Sequence, residues 1–369
     1  MTQMRTRFES LDALRGVAAF SVVLYHWALL QKSSLFGFGY TAVDLFFLLS
    51  GFVIAFSYED RLRSGALSKL AFAKARLIRL YPAMFAGLLF GATTMGVFFL
   101  FQPETRSPPW AYFQAIIANL VIVPSPYPAG YNPHGLFPIN GVMWTLFYEL
   151  VANMVYSILA KWLNTRVLIF VVLCGLAGLC LCATYDPALS GGTERSWGDF
   201  ATGTARVGFS FFLGVLIYRL RKKGALPKFG INPVVLCVAL IAIFLMPISR
   251  SPEHIIPVLT IAFPCIVLFA ANYSARGTLA EYSHAAGRLS YPLYATHLPI
   301  LEAVAAIVGV HVGHTLTIVI VRPMVKYAAA AGIMSLVTAV SWLVLRYWDE
   351  PLRLWASPRS APEVIARAL

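Results

Sequence analysis

The sequence predicts an all-α integral membrane protein, a bundle of about ten transmembrane helices with both termini cytoplasmic. Three observations predict it: composition, the spacing of apolar runs, and the placing of basic residues. Of 369 residues, 59% are hydrophobic and 12% charged, with mean hydropathy +0.72. A soluble domain carries about 25% charged residues, and half that charge cannot cover a surface facing water. No stretch is long and polar enough to be a separate soluble domain, so 1–369 reads as one transmembrane unit.

At about 20 apolar residues per span, the runs fall at about 11–31, 40–58, 80–101, 143–161, 166–184, 204–220, 232–248, 254–272, 289–309 and 327–347, with a tail at 348–369. The run 113–123 is short and is followed by PSPYPAGYNPHGLFP, so it reads as an interfacial or re-entrant piece. The first run is too long for a signal-peptide core and lacks a cleavage site, so it reads as a retained span.

Charge fixes the count. With ten spans and a cytoplasmic N-terminus, the inside segments are 1–10, 59–79, 162–165, 221–231, 273–288 and 348–369. Together with the residues adjoining them they hold twenty Lys and Arg. The outside holds six: Lys32, Arg106, Arg195, Arg250, Arg322 and Lys326. Arg15, Arg206 and Arg346 sit near helix ends. This is the positive-inside asymmetry. Counting 113–123 as a span reverses every later loop and destroys it. The net charge of +13 is therefore loop bias, and no nucleic-acid partner is expected. The five cysteines lie in apolar runs without ligand or redox spacing, which predicts neither metal nor disulfide. No Walker A, dinucleotide fingerprint or nucleophile elbow is present.

Ionisable groups inside spans are costly and mark function by default. Arg15 and His26 are eleven residues apart, three turns plus about 20°, so they share a helix face. His26 reads either as a functional group or as a hydrogen bond to a neighbouring helix. In the second span, Asp44 and Ser50 are polar and Gly51 permits close approach of another backbone. Arg76 and Arg79 are one turn apart at the head of the third span, a geometry for phosphate or for topology alone. Glu149 lies about 9 Å below the outer end of its helix and His26 about 7–8 Å below the outer end of its own. Similar depth makes them a candidate base and partner, or a structural ion pair. Trp144 reads as a belt residue or a sugar platform. His297 and Glu302 lie in the ninth span beside Pro292 and Pro299, and His297 ranks below His26 because no second polar group joins it as clearly. RYWDEP reads as a solvated helix end.

Together these motifs resemble the acyltransferase type 3 family. They are R-x10-H (Arg15, His26), FFLLSGF, R-x-x-R (Arg76, Arg79), W-T-L-x-x-E (Trp144, Glu149) and S-Y-P-L-Y-x-x-H (His297), in order over 12–302. The resemblance implies a membrane O-acyltransferase. It would move an acyl group, usually acetyl, from cytoplasmic acyl-CoA to a hydroxyl of a carbohydrate or glycoconjugate acceptor such as a cell-surface polysaccharide or glycolipid, commonly on the outer face of a bacterial inner membrane. Arg76 and Arg79 would hold the CoA phosphates and Arg15 would position the donor. His26 would be general base or transient acyl carrier, with Glu149 serving it or the acceptor. Asp44, Ser50, Trp144 and His297 are candidate substrate-binding positions. Some members carry an SGNH hydrolase-like domain outside the membrane. None is expected here, so either the chain completes transfer alone or a separate extracytoplasmic partner does. The competing class is a transporter of a sugar or organic anion with Glu149 and His26 as a proton relay, weakened by the lack of a visible internal repeat.

Overall fold

A computed structural model describes residues 8–101, 107–127, 135–193, 196–247, 251–312, 315–318, 320 and 322–357. Among them the chain is helical: α1 Glu9–Leu30, α2 Ala42–Ser64, α3 Lys69–Phe101, α4 Pro109–Leu120, α5 Met143–Leu159, α6 Thr165–Cys182 and α7 Trp197–Lys222. Then follow α8 Pro233–Phe244, α9 Pro252–Pro257, α10 Phe263–Asn272, α11 Gly277–Val308, α12 Pro323–Val344 and α13 Glu350–Ala356. π-helical turns join α9 to α10 (Val258–Ala262) and α12 to α13 (Leu345–Asp349). Among the described residues the departure from an all-helical plan is a short antiparallel ribbon, β1 Val310–Val312 with β2 Thr315–Thr317.

Among the described residues, eight helical segments are long and apolar enough to cross a membrane, and α5 and α8 are shorter apolar helices. They occupy the positions of the ten expected spans. Two expected boundaries need correction. α3 begins at Lys69, not near 80, and α11 at Gly277, not near 289. Both helices continue past their apolar stretch into a basic, polar turn, which hydropathy reads as loop. At 12 residues, α4 is about 18 Å long at 1.5 Å per residue; α8 has the same length, so length does not decide which of the two crosses, and relative direction does. α4 buries Ala111, Ala115 and Ala118 against the bundle and exposes Trp110, Phe113 and Ile117.

Relative direction gives the parity of the crossings independently of length. Asp44 meets Arg206 near the starts of α2 and α7, and Glu59 meets Arg219 near their ends, so these helices are parallel. Three crossings, α3, α5 and α6, separate them. A fourth through α4 would turn α7 round. In the same way α1 is parallel to α11 (Gly16 on Ala286, His26 on His297) and α3 to α11 (Leu80 with Tyr291, Thr94 with Pro299). These are the first, third and ninth crossings of ten. Phe8 and Ser357 line one cavity, so the two ends of the described chain share one side of the bundle. That side also carries the pairs Lys222–Asp60 and Arg63 on the Leu163 carbonyl; it is called the basic end below.

Glycine and proline set the close contacts. A Cβ on Gly51 would lie 1.9 Å from the Phe211 carbonyl oxygen, and one on Gly214 2.1 Å from that of Leu48. Only glycine admits this approach of α2 and α7. Pro299 removes the amide that would bond the Ala295 carbonyl four residues back. The Asn140 side chain donates to that carbonyl instead, at 2.8 Å, the repair expected where water is absent.

Candidate active site

The polar interior falls into three places. The first is a cavity of about 990 Å³ that runs from the basic end, at Phe8, Arg353 and Ser357, to the heads of α2 and α5, at Val43 and Met143. Arg15, Arg76, Arg79, Arg288 and Arg353 line it, against the carboxylates Asp12, Glu149 and Glu350. Its inner wall is Phe46, Asn140, Thr145, Tyr294 and Ala295. Arg15 is held by Asp12 one turn back, at 3.1 Å. Deeper, the Glu149 Oε1 accepts from Arg76 at 2.9 Å and from the Ser50 hydroxyl at 2.6 Å. These are charge-assisted bonds, the stronger kind. The Arg76 Nε and the Asn140 Oδ1 are buried without hydrogen-bond partners, a costly state unless a ligand or water meets them.

Arg76 was expected at the boundary of its span, but it lies two turns inside α3 with its side chain 11% exposed. The earlier start of α3 is the cause. Arg76, expected at the donor's phosphates, and Glu149, expected beside His26, therefore meet. Arg79 is the next turn toward the interior of the fold and lies in the electrostatic field of Arg15, Arg76, Arg353 and Asp349.

The second place is a histidine pair. The His297 Nε2 is 3.2 Å from the His26 Nδ1, with ring centroids 5.0 Å apart. The depth argument that joined His26 to Glu149 is corrected here: Glu149 bonds Arg76 and Ser50, and His26 bonds His297. The second polar group that His297 lacked on its own helix is on α1, which no single-helix reading can find. The network assigns the tautomers. The His297 Nδ1 faces two carbonyls, Tyr294 at 2.7 Å and Leu293 at 3.2 Å, so it carries the proton and its Nε2 accepts. The His26 Nδ1 faces that nitrogen and the Val22 carbonyl at 3.0 Å, so it also donates. The His26 Nε2 is left with its lone pair. Tyr294 borders both places: it lines the cavity, its phenol lies 3.0 Å from the Thr145 hydroxyl, and its ring is 5.6 Å from that of His297.

The third place holds Asp44 and Trp144. Arg206, 1% exposed, forks onto Asp44 through Nε at 3.2 Å and Nη2 at 2.7 Å. Its Nη1 donates to the Gly191 carbonyl at 3.1 Å, and its guanidinium sits 5.3 Å from the Trp144 ring. Asp44 and Trp144 are thus absorbed in a buried cation cluster and do not line the cavity. Trp144 is 6% exposed and packs inside the bundle rather than in an interfacial belt. Sequence reasoning missed Arg206 as the partner, and it missed Arg288, Glu350, Arg353 and Tyr294. Arg353 and Glu350 stood in RYWDEPLR, where adjacent charges look solvated. Among the described residues no group of three or more His, Cys, Asp or Glu is placed to hold a metal ion.

A multi-pass helical bundle with a deep, arginine-lined cavity defines an integral membrane protein. The acyltransferase type 3 model, an acyltransferase domain, matches residues 8–346. The chain belongs to that family and is a membrane acyltransferase. It is also 36% identical over 167 residues to "Protein 2 in picA locus" of Rhizobium radiobacter, covering 42% of this chain and 82% of that one. No solved structure matches the chain.

Proposed function

We propose that the protein is an O-acyltransferase that takes an acyl group, usually acetyl, from acyl-CoA entering at the basic end. It passes the group to a hydroxyl of a carbohydrate or glycolipid in a bacterial inner membrane. The observation that carries this reading is the cavity itself. Its volume of about 990 Å³ is at the top of the ordinary ligand range of roughly 300–1,000 Å³, its mouth is rich in arginine, and its inner wall abuts the histidine pair. Arg15, Arg76 and Arg79 face the donor's phosphates, and the unpartnered Arg76 Nε and Asn140 Oδ1 offer a donor and an acceptor to its polar arm. Tyr294 separates thioester from histidine until it turns aside.

The chemistry is balanced on one nitrogen. As general base, the His26 Nε2 takes the acceptor's hydroxyl proton as that oxygen attacks the thioester carbonyl. The C–S bond breaks and the thiolate takes the proton back from the imidazolium. His297, an acceptor on the far side of the ring, favours that imidazolium. As acyl carrier, the same nitrogen attacks the thioester and expels the thiolate; in a second step the hydroxyl takes the acyl group, and its proton passes to the freed imidazole nitrogen and on to the thiolate. Glu149 keeps Arg76 and Ser50 in place along the donor.

Purified protein in lipid, given acetyl-CoA labelled in the acetyl group and no acceptor, then quenched, separates the two routes. Label on the protein that disappears in His26→Ala supports the carrier, and no label supports the base. Release of free CoA in the presence of membrane glycolipids separates both from a transporter, which leaves the thioester intact.

A further inference from the structure

We infer that Arg353, on the short helix after the last span, is a third wall of the anion site. With Arg15 and Arg79 it holds the donor's phosphates, and Asp349 aims it. This rests on the acyl-CoA reading above and extends it to residues beyond 346, where the family match ends.

Four observations meet at this point. Arg353 lines the cavity yet is only 8% exposed. It is hydrogen-bonded to the Asp349 carboxylate, itself 1% exposed, and its Nε donates to the Asp349 carbonyl at 3.4 Å. A solvated helix end has no reason to bury an ion pair, because removing two charges from water costs several kcal/mol each. Next, the five residues before α13 form a π-helical turn. Such turns rotate the following side chains out of α register and recur at functional sites. This one is clamped to α3: the Trp348 indole donates to the Pro82 carbonyl at 3.0 Å, and its ring stacks on Phe85 at 5.9 Å. The turn is thus fixed to the helix that carries Arg79. Third, Arg15, Arg79 and Arg353 line the same cavity. Guanidinium groups gathered in a low-dielectric wall repel one another unless anionic charge lies among them. Asp12 and Asp349 supply two such charges, and the phosphates of a nucleotide thioester supply more. Finally, Arg288 and Glu350 pair at 2.5 Å at the rim of the same wall, bracing α13 against α11.

Binding to protein in lipid tests this with three probes: CoA, dephospho-CoA, which lacks the 3′-phosphate, and inorganic pyrophosphate. A lost charge-assisted contact corresponds to about 10- to 100-fold in affinity. Arg353→Ala is therefore expected to bind CoA and pyrophosphate about 10- to 100-fold more weakly. Arg353→Lys is expected to recover part of the loss. Asp349→Asn, which leaves the guanidinium charged but less well aimed, is expected to show a smaller loss in the same direction. If Arg353→Ala is poorly folded, the Asp349→Asn and Arg353→Lys proteins carry the test. Dephospho-CoA reports which phosphate Arg353 meets: an unchanged ratio of CoA to dephospho-CoA places it on the pyrophosphate, and a collapsed ratio on the 3′-phosphate. Wild-type protein that binds pyrophosphate but no form of CoA would sink the acyl-CoA reading and leave the anion site standing. Wild-type affinity for both CoA and pyrophosphate in well-folded Arg353→Ala would overturn the proposal, as would failure of the wild type to bind either.

Discussion

A buried histidine must place two ring nitrogens, and here the backbone places two of the four in the pair. The carbonyls of Val22, Leu293 and Tyr294 fix the protons, and His297 closes the chain onto His26. One lone pair, on the His26 Nε2, is left for chemistry. Replacing His26 with Ala is expected to lower transfer by at least the ~10²–10⁴-fold typical of a general acid–base group, with normal abundance and normal CoA binding. His297→Gln, which can still present an acceptor to the His26 Nδ1, is expected to retain more activity than His297→Ala at equal abundance. Equal loss in both would mean that His297 acts by packing alone. Glu149→Gln keeps shape and removes the charge opposite Arg76. Most activity is expected to be lost while the protein remains membrane-inserted, checked by transfer assay and immunoblot together. Arg15, His26, Ser50, Arg76, Arg79 and Glu149 were visible in the sequence because charge inside an apolar run is costly wherever it sits. Their partners were not. Depth along a helix is one coordinate, and which helix stands opposite is set by packing. Depth alone joined His26 to Glu149, whereas the fold joins α1 to α11 and α3 to α5. Depth itself also depends on where a helix begins: moving the start of α3 back to Lys69 carried Arg76 from the rim into the cavity.

The pairing of α2 with α7 is the best-specified contact between elements. Two buried ion pairs, Asp44–Arg206 and Glu59–Arg219, flank the crossing at Gly51 and Gly214. Breaking a buried pair leaves a lone charge and costs roughly 3–5 kcal/mol, whereas replacing both partners with apolar groups is often neutral. Asp44→Ala is therefore expected to lower thermal stability in detergent sharply, and Asp44→Leu with Arg206→Met is expected to restore most of it. A double variant as unstable as the single would show that the Arg206 bond to the Gly191 carbonyl and its place over Trp144 outweigh the pair itself. Gly51→Leu is expected to fail to insert or assemble, because a Cβ there has no room. The glycine's role was legible in FFLLSGF. The salt bridges were not, since the sequence places Asp44 and Arg206 162 residues apart and each alone resembles a functional charge. The turn at 345–349 was likewise invisible, because a π-helical turn leaves the apolar period nearly unchanged while redirecting the charges beyond it.

At the scale of the whole molecule, the count of crossings came from charge, and helix direction agrees with its parity. α1, α3 and α11 are parallel, as are α2 and α7, which ten crossings with α4 excluded require. Single cysteines at positions 69 and 223 are expected to resist a membrane-impermeant thiol reagent in intact cells, and one at 190 to react. Labelling at 69 from outside would invert the account. On the proposed reading the donor arrives at the basic end, where the arginines line the cavity, and the acyl group leaves past Tyr294 and His26. Membrane vesicles made from expressing cells, inside-out or right-side-out, test that claim directly. They contain their own acceptors and are supplied with acetyl-CoA labelled in the acetyl group. Inside-out vesicles carrying the wild-type protein are expected to move label into membrane glycolipid or polysaccharide. Right-side-out vesicles are expected to do so only when permeabilised, and His26→Ala vesicles of equal abundance in neither form. Wild-type labelling by His26→Ala, or labelling of sealed right-side-out vesicles equal to that of inside-out ones, would contradict the account.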